Sequence, residues 1–184
     1  GQEIELDELQ KTAVYQAVQN GVTIITGGPG TGKTTTINTI LQVFEQEGLD
    51  ILLAAPTGRA AKRMSETTGW EAQTIHRLLE INGGVSEGDT QGTMHLMNAL
   101  LRAIVPGTRL IIVGDVNQLP SVGPGNVLKD MIQAEFCSVV RLHRIFRQAA
   151  ESQIVMNAHR INSGEEISLE NASPDFMHLE RKDS

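Results

Sequence analysis

Residues 27–34 read Gly-Gly-Pro-Gly-Thr-Gly-Lys-Thr and fit the spacing G-x-x-x-x-G-K-[ST] at every fixed position. Glycines let successive backbone N–H groups turn inward around phosphate oxygens. A helix that starts at such a loop adds its partial positive end. In this arrangement Lys33 reaches the β- and γ-phosphates and the Thr34 hydroxyl ligates Mg²⁺. A glycine-rich turn with a chance lysine is the alternative. The flanks argue against it: the apolar run Val22–Thr26 precedes the loop and the helix-compatible stretch Thr34–Leu41 follows it, which is the context this chemistry requires. The residues therefore predict a nucleoside triphosphate site with Mg²⁺. Its candidate members are Gly28, Pro29, Gly30, Thr31, Gly32, Lys33, Thr34 and Thr35, with Thr34 as the metal ligand.

The elements around this loop are legible from caps and apolar runs. Asp7 is a candidate N-cap for a helix over Glu8–Gln19, closed by Asn20-Gly21. After the strand at Val22–Thr26 and the loop, a helix runs to Glu47 and stops at Gly48. Ile51–Ala55 is a short buried strand bounded by Pro56. Helices follow at Gly58–Glu66, at Gln73–Glu80 with Thr74 as a cap, and at Met94–Ile104, with a polar glycine-rich loop at Gly83–Gly92. A strand at Arg109–Val113 ends in Gly114-Asp115. A helix at Gly125–Ala134, a strand at Phe136–Leu142, a helix at Gln148–Ser163 and a last strand at Asp175–Leu179 complete the reading. Strands alternating with helices predict an α/β fold, a mostly parallel sheet with helices on both faces. Ligands then sit at the carboxyl ends of the strands. The phosphate loop, Pro56-Thr57 and Gly114-Asp115 all follow strands directly and are expected along one edge. The alternation fails once, between 55 and 109, where three helical segments occur without a strand.

The chain has 184 residues with 40% hydrophobic and 20% charged residues, ordinary globular composition for one domain. No apolar run reaches the roughly 18 residues of a membrane helix, and no signal-peptide pattern opens the chain. The single cysteine, Cys137, excludes a disulfide framework, so a cytoplasmic setting without a membrane partner is expected. The net charge of −7 argues against a broad electrostatic grip on nucleic acid, although a narrow strip of contacts at one edge remains compatible with it. Aromatics are only 3%, so stacking platforms for bases are scarce.

Five further segments carry a resemblance. Gly114-Asp115-Val116-Asn117-Gln118-Leu119-Pro120 is more elaborate than a strand end needs, although a strand followed by a proline-glycine turn accounts for it equally well in isolation. Leu6-Asp7-Glu8-Leu9-Gln10 opens the first helix. Ala54-Ala55-Pro56-Thr57-Gly58-Arg59 ends the second strand and Thr74-Ile75-His76-Arg77-Leu78-Leu79 comes after it. Leu142-His143-Arg144-Ile145-Phe146-Arg147-Gln148 follows the last central strand. Together these resemble superfamily 1 DNA helicases, and most closely the RecD-like branch that includes the exodeoxyribonuclease V alpha subunit. The match runs from about Leu6 to about Ser163.

The resemblance implies a RecA-like P-loop NTPase fold and a role for each segment. Gln10 reads the adenine edge with one donor and one acceptor. Gln118 reaches the γ-phosphate, supported by Asp115. Arg147, with Arg144 as the neighbouring alternative, offsets charge there during phosphoryl transfer. Thr57, Arg59, Thr74 and His76 face single-stranded DNA, where hydroxyls and helix-start amides hold phosphates. For Thr57 and Thr74 a plain helix cap is the alternative. For His76 it is a core or cap histidine, and for the arginines a surface salt bridge. The resemblance makes residues 1–164 the first of two motor domains and 165–184 the start of the connection to the second. The implied function is ATP-driven 5′–3′ movement on single-stranded DNA in recombination and repair, with the second motor domain and exodeoxyribonuclease V subunits as partners, and weak or no activity in this piece alone. The helicase portion of a conjugative relaxase and a nucleotide-gated scaffold that hydrolyses nothing are the competing readings.

The chain departs from the family in two respects: nothing after Ser163 resembles the second motor domain, and one element of the first has no counterpart. An apolar strand ending in Asp-Glu, which supplies the Mg²⁺ carboxylate and the base that orients water, has no counterpart between Thr74–Leu79 and Met94–Ile104. That strand belongs in the sheet interior, and its loss is expected to leave a slot with unpaired ladder groups. The resemblance thus predicts either a chain break near Gly83–Thr93 or a shortened chain in which Asp89 or Asp115 substitutes.

Overall fold

The computed structural model describes residues 6–78, 107–117, 127–135, 137–146 and 152–165. Its strands are β1 (Val22–Gly27), β2 (Ile51–Ala55), β3 (Ala72–Thr74), β4 (Arg109–Gly114) and β5 (Ser138–Leu142). Its helices are α1 (Glu8–Gln19), α2 (Lys33–Glu47), α3 (Gly58–Thr68), α4 (Val127–Gln133) and α5 (Gln153–Ser163). The strands form one sheet in the order β3-β2-β4-β1-β5. All four neighbouring pairs are parallel, with Ile24 opposite both Ile112 and Val139.

Strand side chains alternate between two apolar layers. Ile25, Leu53, Ala55, Ile111, Val113, Val140 and Leu142 pack under α1, α2 and α3, where Phe44 and Ile40 are the largest buried helical side chains. Ile24, Ala54, Leu110 and Ile112 face the opposite way, onto Ile75, Leu78, Leu128 and Met131. Both faces are thus covered, as a parallel sheet requires.

The caps explain the helix limits. Asp7 accepts from the Gln10 N–H and the Gln10 side chain accepts from the Asp7 N–H, a reciprocal capping box on α1. Gly48, Gly69 and Gly164 end α2, α3 and α5 in the left-handed conformation.

Four expectations are corrected. The interval between 55 and 109 does contain a strand: Ala72–Thr74 is β3, paired to β2 with Ala55 opposite Thr74. Three residues without an apolar run carry no periodic signal. The helix expected from Gln73 therefore begins at 75, and the Thr74 side chain accepts from the Arg77 N–H at 3.1 Å. The helix expected from Gln148 begins at Gln153, because Ser152 is extended and caps it.

The slot does not exist. β2 hydrogen-bonds directly to β4, in register from Ile51–Arg109 to Ala54–Ile112. β2 and β4 share their ladder directly, so the backbone groups along that edge are paired rather than orphaned. Asp89, the region of the expected break, the helix at Met94–Ile104 and the strand at Asp175–Leu179 lie outside the described residues.

Candidate nucleotide site

β1 delivers the loop. Thr23 and Thr26 are buried within it, and the Thr26 hydroxyl accepts from the Val116 N–H at 3.4 Å, tying the end of β1 to the segment after β4. The parallel register places Thr26 opposite Gly114 and Gly27 opposite Leu142. The phosphate loop, Pro56-Thr57 and Gly114-Asp115 therefore lie along the carboxyl edge of the sheet, as expected.

The glycines are required by close approach. A Cβ at Gly27 would lie 2.5 Å from the Leu142 carbonyl oxygen and 2.6 Å from the Thr31 hydroxyl. Gly30 and Gly32 hold φ of +74° and +77°, a region that side chains strain. α2 starts at Lys33 after Gly32, with no side-chain capping bond. Its first N–H groups are left for a ligand to satisfy, and the helix adds its positive end. This uncapped glycine cradle fits a triphosphate.

Each loop carbonyl from Gly27 to Gly30, and that of Gly32, is bonded by a donor from within or around the loop. The Thr31 hydroxyl donates to the Gly28 carbonyl at 2.8 Å. The Phe146 N–H donates to the Gly30 carbonyl at 3.1 Å. The Gln10 side-chain amide donates to the Gly32 carbonyl at 3.2 Å, beside the Thr36 hydroxyl at 2.9 Å. Lys33 Nζ donates to the carbonyls of Gly27 and Gly28. Burial lowers the Lys33 pKa below its ordinary 10.5; the Asp115 carboxylate raises it in part, and the Arg63 guanidinium lowers it further. The Thr34 side chain is exposed and open to a hydrated cation, and Thr35 is half-buried with its carbonyl bonded to the Thr39 hydroxyl at 3.0 Å. Mg²⁺ takes one or two protein ligands and keeps waters and substrate phosphates as the rest. Thr34 and Asp115 carry oxygen atoms of the kind that ion takes.

Gln10 is 1% exposed, and its amide serves both α1 and the loop. Each end keeps one unused bonding position, a lone pair on Oε1 and an N–H on Nε2. Asp115 is half-buried and accepts from the Asn117 N–H at 3.0 Å. The Arg144 guanidinium lies 5.9 Å from the centroid of the Phe146 ring, and that ring edge bounds Gly32. Gln118 and Arg147 lie outside the described residues. The Thr57 hydroxyl caps α3 by accepting from the Ala60 N–H at 3.2 Å. Arg59 and His76 are exposed beyond it. Sequence reasoning missed Phe146, His159 and Arg63 as neighbours of the loop. Phe146 and His159 are more than a hundred residues away from it in the chain, and no spacing links them.

Residues 5–176 match the AAA domain family. The ATP-dependent RecD2 DNA helicase of Deinococcus radiodurans is 38% identical over 176 residues, covering 87% of this chain and 24% of that protein. The RecBCD enzyme subunit RecD of Mycolicibacterium smegmatis is 36% identical over 167 residues, covering 68% of this chain and 30% of that one. The chain thus spans about a quarter to a third of these relatives. Among solved structures, the Pif1 helicase from Candida albicans covers 90% of this chain and 46% of its own, with TM-score 0.60 and 20% identity. Bacteroides Pif1 bound to ssDNA gives TM-score 0.53 at 18% identity, over 90% of this chain and 48% of its own. These two show the fold.

Proposed function

We propose, from the premise that this chain belongs to the AAA domain family in its RecD-like branch, that it is the nucleotide-binding first motor domain of a DNA helicase. The observation that carries this reading is the phosphate loop itself: an uncapped α2 start, glycines where a Cβ cannot fit, and Lys33 Nζ inside the loop. Residues 1–164 form the motor unit and 165–184 begin the connection to a second one. Gln10 uses its unused donor and acceptor on adenine. Lys33 exchanges two loop carbonyls for phosphate oxygens, and Thr34 with Asp115 holds Mg²⁺, which when bound shields the phosphate charge. Gln118 and Arg147 sense the terminal phosphate. Thr57 and Thr74, adjacent through β2 and β3, accept helix N–H groups and keep a hydroxyl proton to donate to a DNA phosphate. Arg59 and His76 extend that edge. The relatives, one a DNA helicase and one a RecBCD subunit, support a parent that acts on DNA. We propose in addition a second motor domain, 5′ to 3′ movement, a cytoplasmic setting and, in one form, recombination subunits as partners.

One observation favours a second reading, a nucleotide-gated scaffold. The direct β2–β4 ladder leaves no interior position for the acidic strand that would orient water. The test is ATP hydrolysis by the full-length parent with and without single-stranded DNA, and displacement of strands from 5′- and 3′-tailed duplexes. Stimulated hydrolysis lost in Lys33→Ala, with displacement from the 5′ tail only, is the result expected of the motor. Nucleotide binding without hydrolysis supports the scaffold and overturns the motor.

A further inference from the structure

The apex of the phosphate loop is held from outside by a side chain that the reading above does not use. His159 lies on α5, 130 residues beyond Pro29, with its Nε2 3.0 Å from the Pro29 carbonyl oxygen. A carbonyl only accepts, so Nε2 carries the proton. The ring edge also lies against Gly28. A Cβ there would meet Cε1 at 2.7 Å, Nε2 at 3.1 Å and Nδ1 at 3.5 Å, so only glycine admits the imidazole. The ring is half-buried and stands on a regular helix, capped at its start by Ser152 and at its end by Gly164.

The consequence follows from the planar trans peptide, in which the C=O and the next N–H point in opposite directions. Fixing the Pro29 carbonyl toward α5 fixes the Gly30 N–H toward the opposite side. The Phe146 N–H does the same for the next peptide by holding the Gly30 carbonyl at 3.1 Å, and so aims the Thr31 N–H. Pro29 has no N–H of its own, so the amides at 30 and 31 carry the apex of the cradle. A nest binds an anion only if its carbonyls are turned out of it.

We propose that His159 is a positioning residue of the nucleotide site: through Nε2–H it locks the Pro29 peptide so that the loop amides face the phosphates, and it couples α5 to loop occupancy. This inference rests on the nucleotide-binding reading and deepens it. Because coupling is reciprocal, a phosphate ligand tightens the His159 contact in return.

The test uses this 184-residue chain. Affinities for ATP, GTP and inorganic tripolyphosphate are measured by calorimetry for the wild type, His159→Ala and His159→Gln. Loss of one hydrogen bond to a carbonyl that has no other donor among the described residues predicts binding about tenfold weaker in His159→Ala. The loss should be equal for ATP and tripolyphosphate, with the ATP-to-GTP ratio unchanged. Gln carries an amide N–H that can reach the same carbonyl, so His159→Gln should return to within about threefold of wild type. Independently of any variant, ¹⁵N–¹H spectra of the wild-type imidazole should show the Nε2–H tautomer, with a shifted signal once tripolyphosphate is added. Wild-type affinity in a folded His159→Ala, equal loss in the Ala and Gln variants, or an Nδ1–H tautomer would each overturn the proposal. A wild type that binds none of the three ligands overturns the nucleotide-binding reading instead.

Discussion

Lys33 is the residue on which local physics and function meet. In the free loop its ammonium is half-buried and bonded to the carbonyls of Gly27 and Gly28. Those two bonds keep the charge tolerable but do not replace bulk water, so burial remains the largest influence on its pKa and lowers it. A phosphate oxygen is a stronger partner than a neutral carbonyl, which gives the loop a direction of exchange when nucleotide arrives. The same burial has a measurable cost in the free protein. The folded pKa lies below 10.5, so between the folded value and 10.5 the unfolded chain binds more protons than the folded one. Stability therefore rises with pH through that window, and the cost of burying the charge is felt in full below it. Lys33→Met carries no such proton. The difference in unfolding free energy, wild type minus Lys33→Met, should climb as pH approaches 10.5 in urea titrations run at several pH values. A flat or falling difference would show that the ammonium is as comfortable in the loop as in water.

At the scale of elements, the fold was readable wherever local chemistry sets a boundary. Asp7, Gly48 and the Ile51–Ala55 run all sit where caps and apolar periodicity place them. β3 was invisible because only tertiary pairing to β2 makes three residues, Ala72, Gln73 and Thr74, a strand. The start of α5 was misplaced because one hydroxyl, that of Ser152, decides it by accepting from the Val155 N–H at 3.2 Å. Gly114 shows how tightly two elements meet at the site. A Cβ there would lie 2.5 Å from Leu128 Cδ2 and 3.2 Å from Pro56, so the end of β4, α4 and the segment after β2 touch at one point. Gly114→Ala should cost about 1–3 kcal/mol by overpacking, read as a lower urea midpoint with an unchanged slope. The same change should push Asp115 off line and weaken nucleotide binding, whereas Gly58→Ala, where nothing lies within 4 Å, should leave binding unchanged.

For the whole molecule, the question is how a motif of eight consecutive residues becomes a site. The eight were legible in the sequence because their chemistry is local. The donors that orient them were not, since Gln10, Phe146 and His159 reach the loop only after α1, the end of β5 and α5 have packed around β1. The direct pairing of β2 with β4 was equally hidden, because tertiary contact and not a local pattern sets the order of strands in a sheet. The loop is thus the point where α1, β1 and α5 converge, and a ligand there should stabilise all of them together. A ligand that binds only the folded state at about 100 times its Kd adds about 2.7 kcal/mol. For a chain of this size that corresponds to a rise in melting temperature of roughly 5–11 °C. Differential scanning fluorimetry with ATP should show one cooperative transition moving upward as a whole, because the loop joins elements that lie far apart in the chain. Lys33→Ala should abolish the rise. A rise retained in Lys33→Ala, or a second transition appearing while the first stays in place, would mean that the nucleotide binds elsewhere or that the loop is not where the fold is joined.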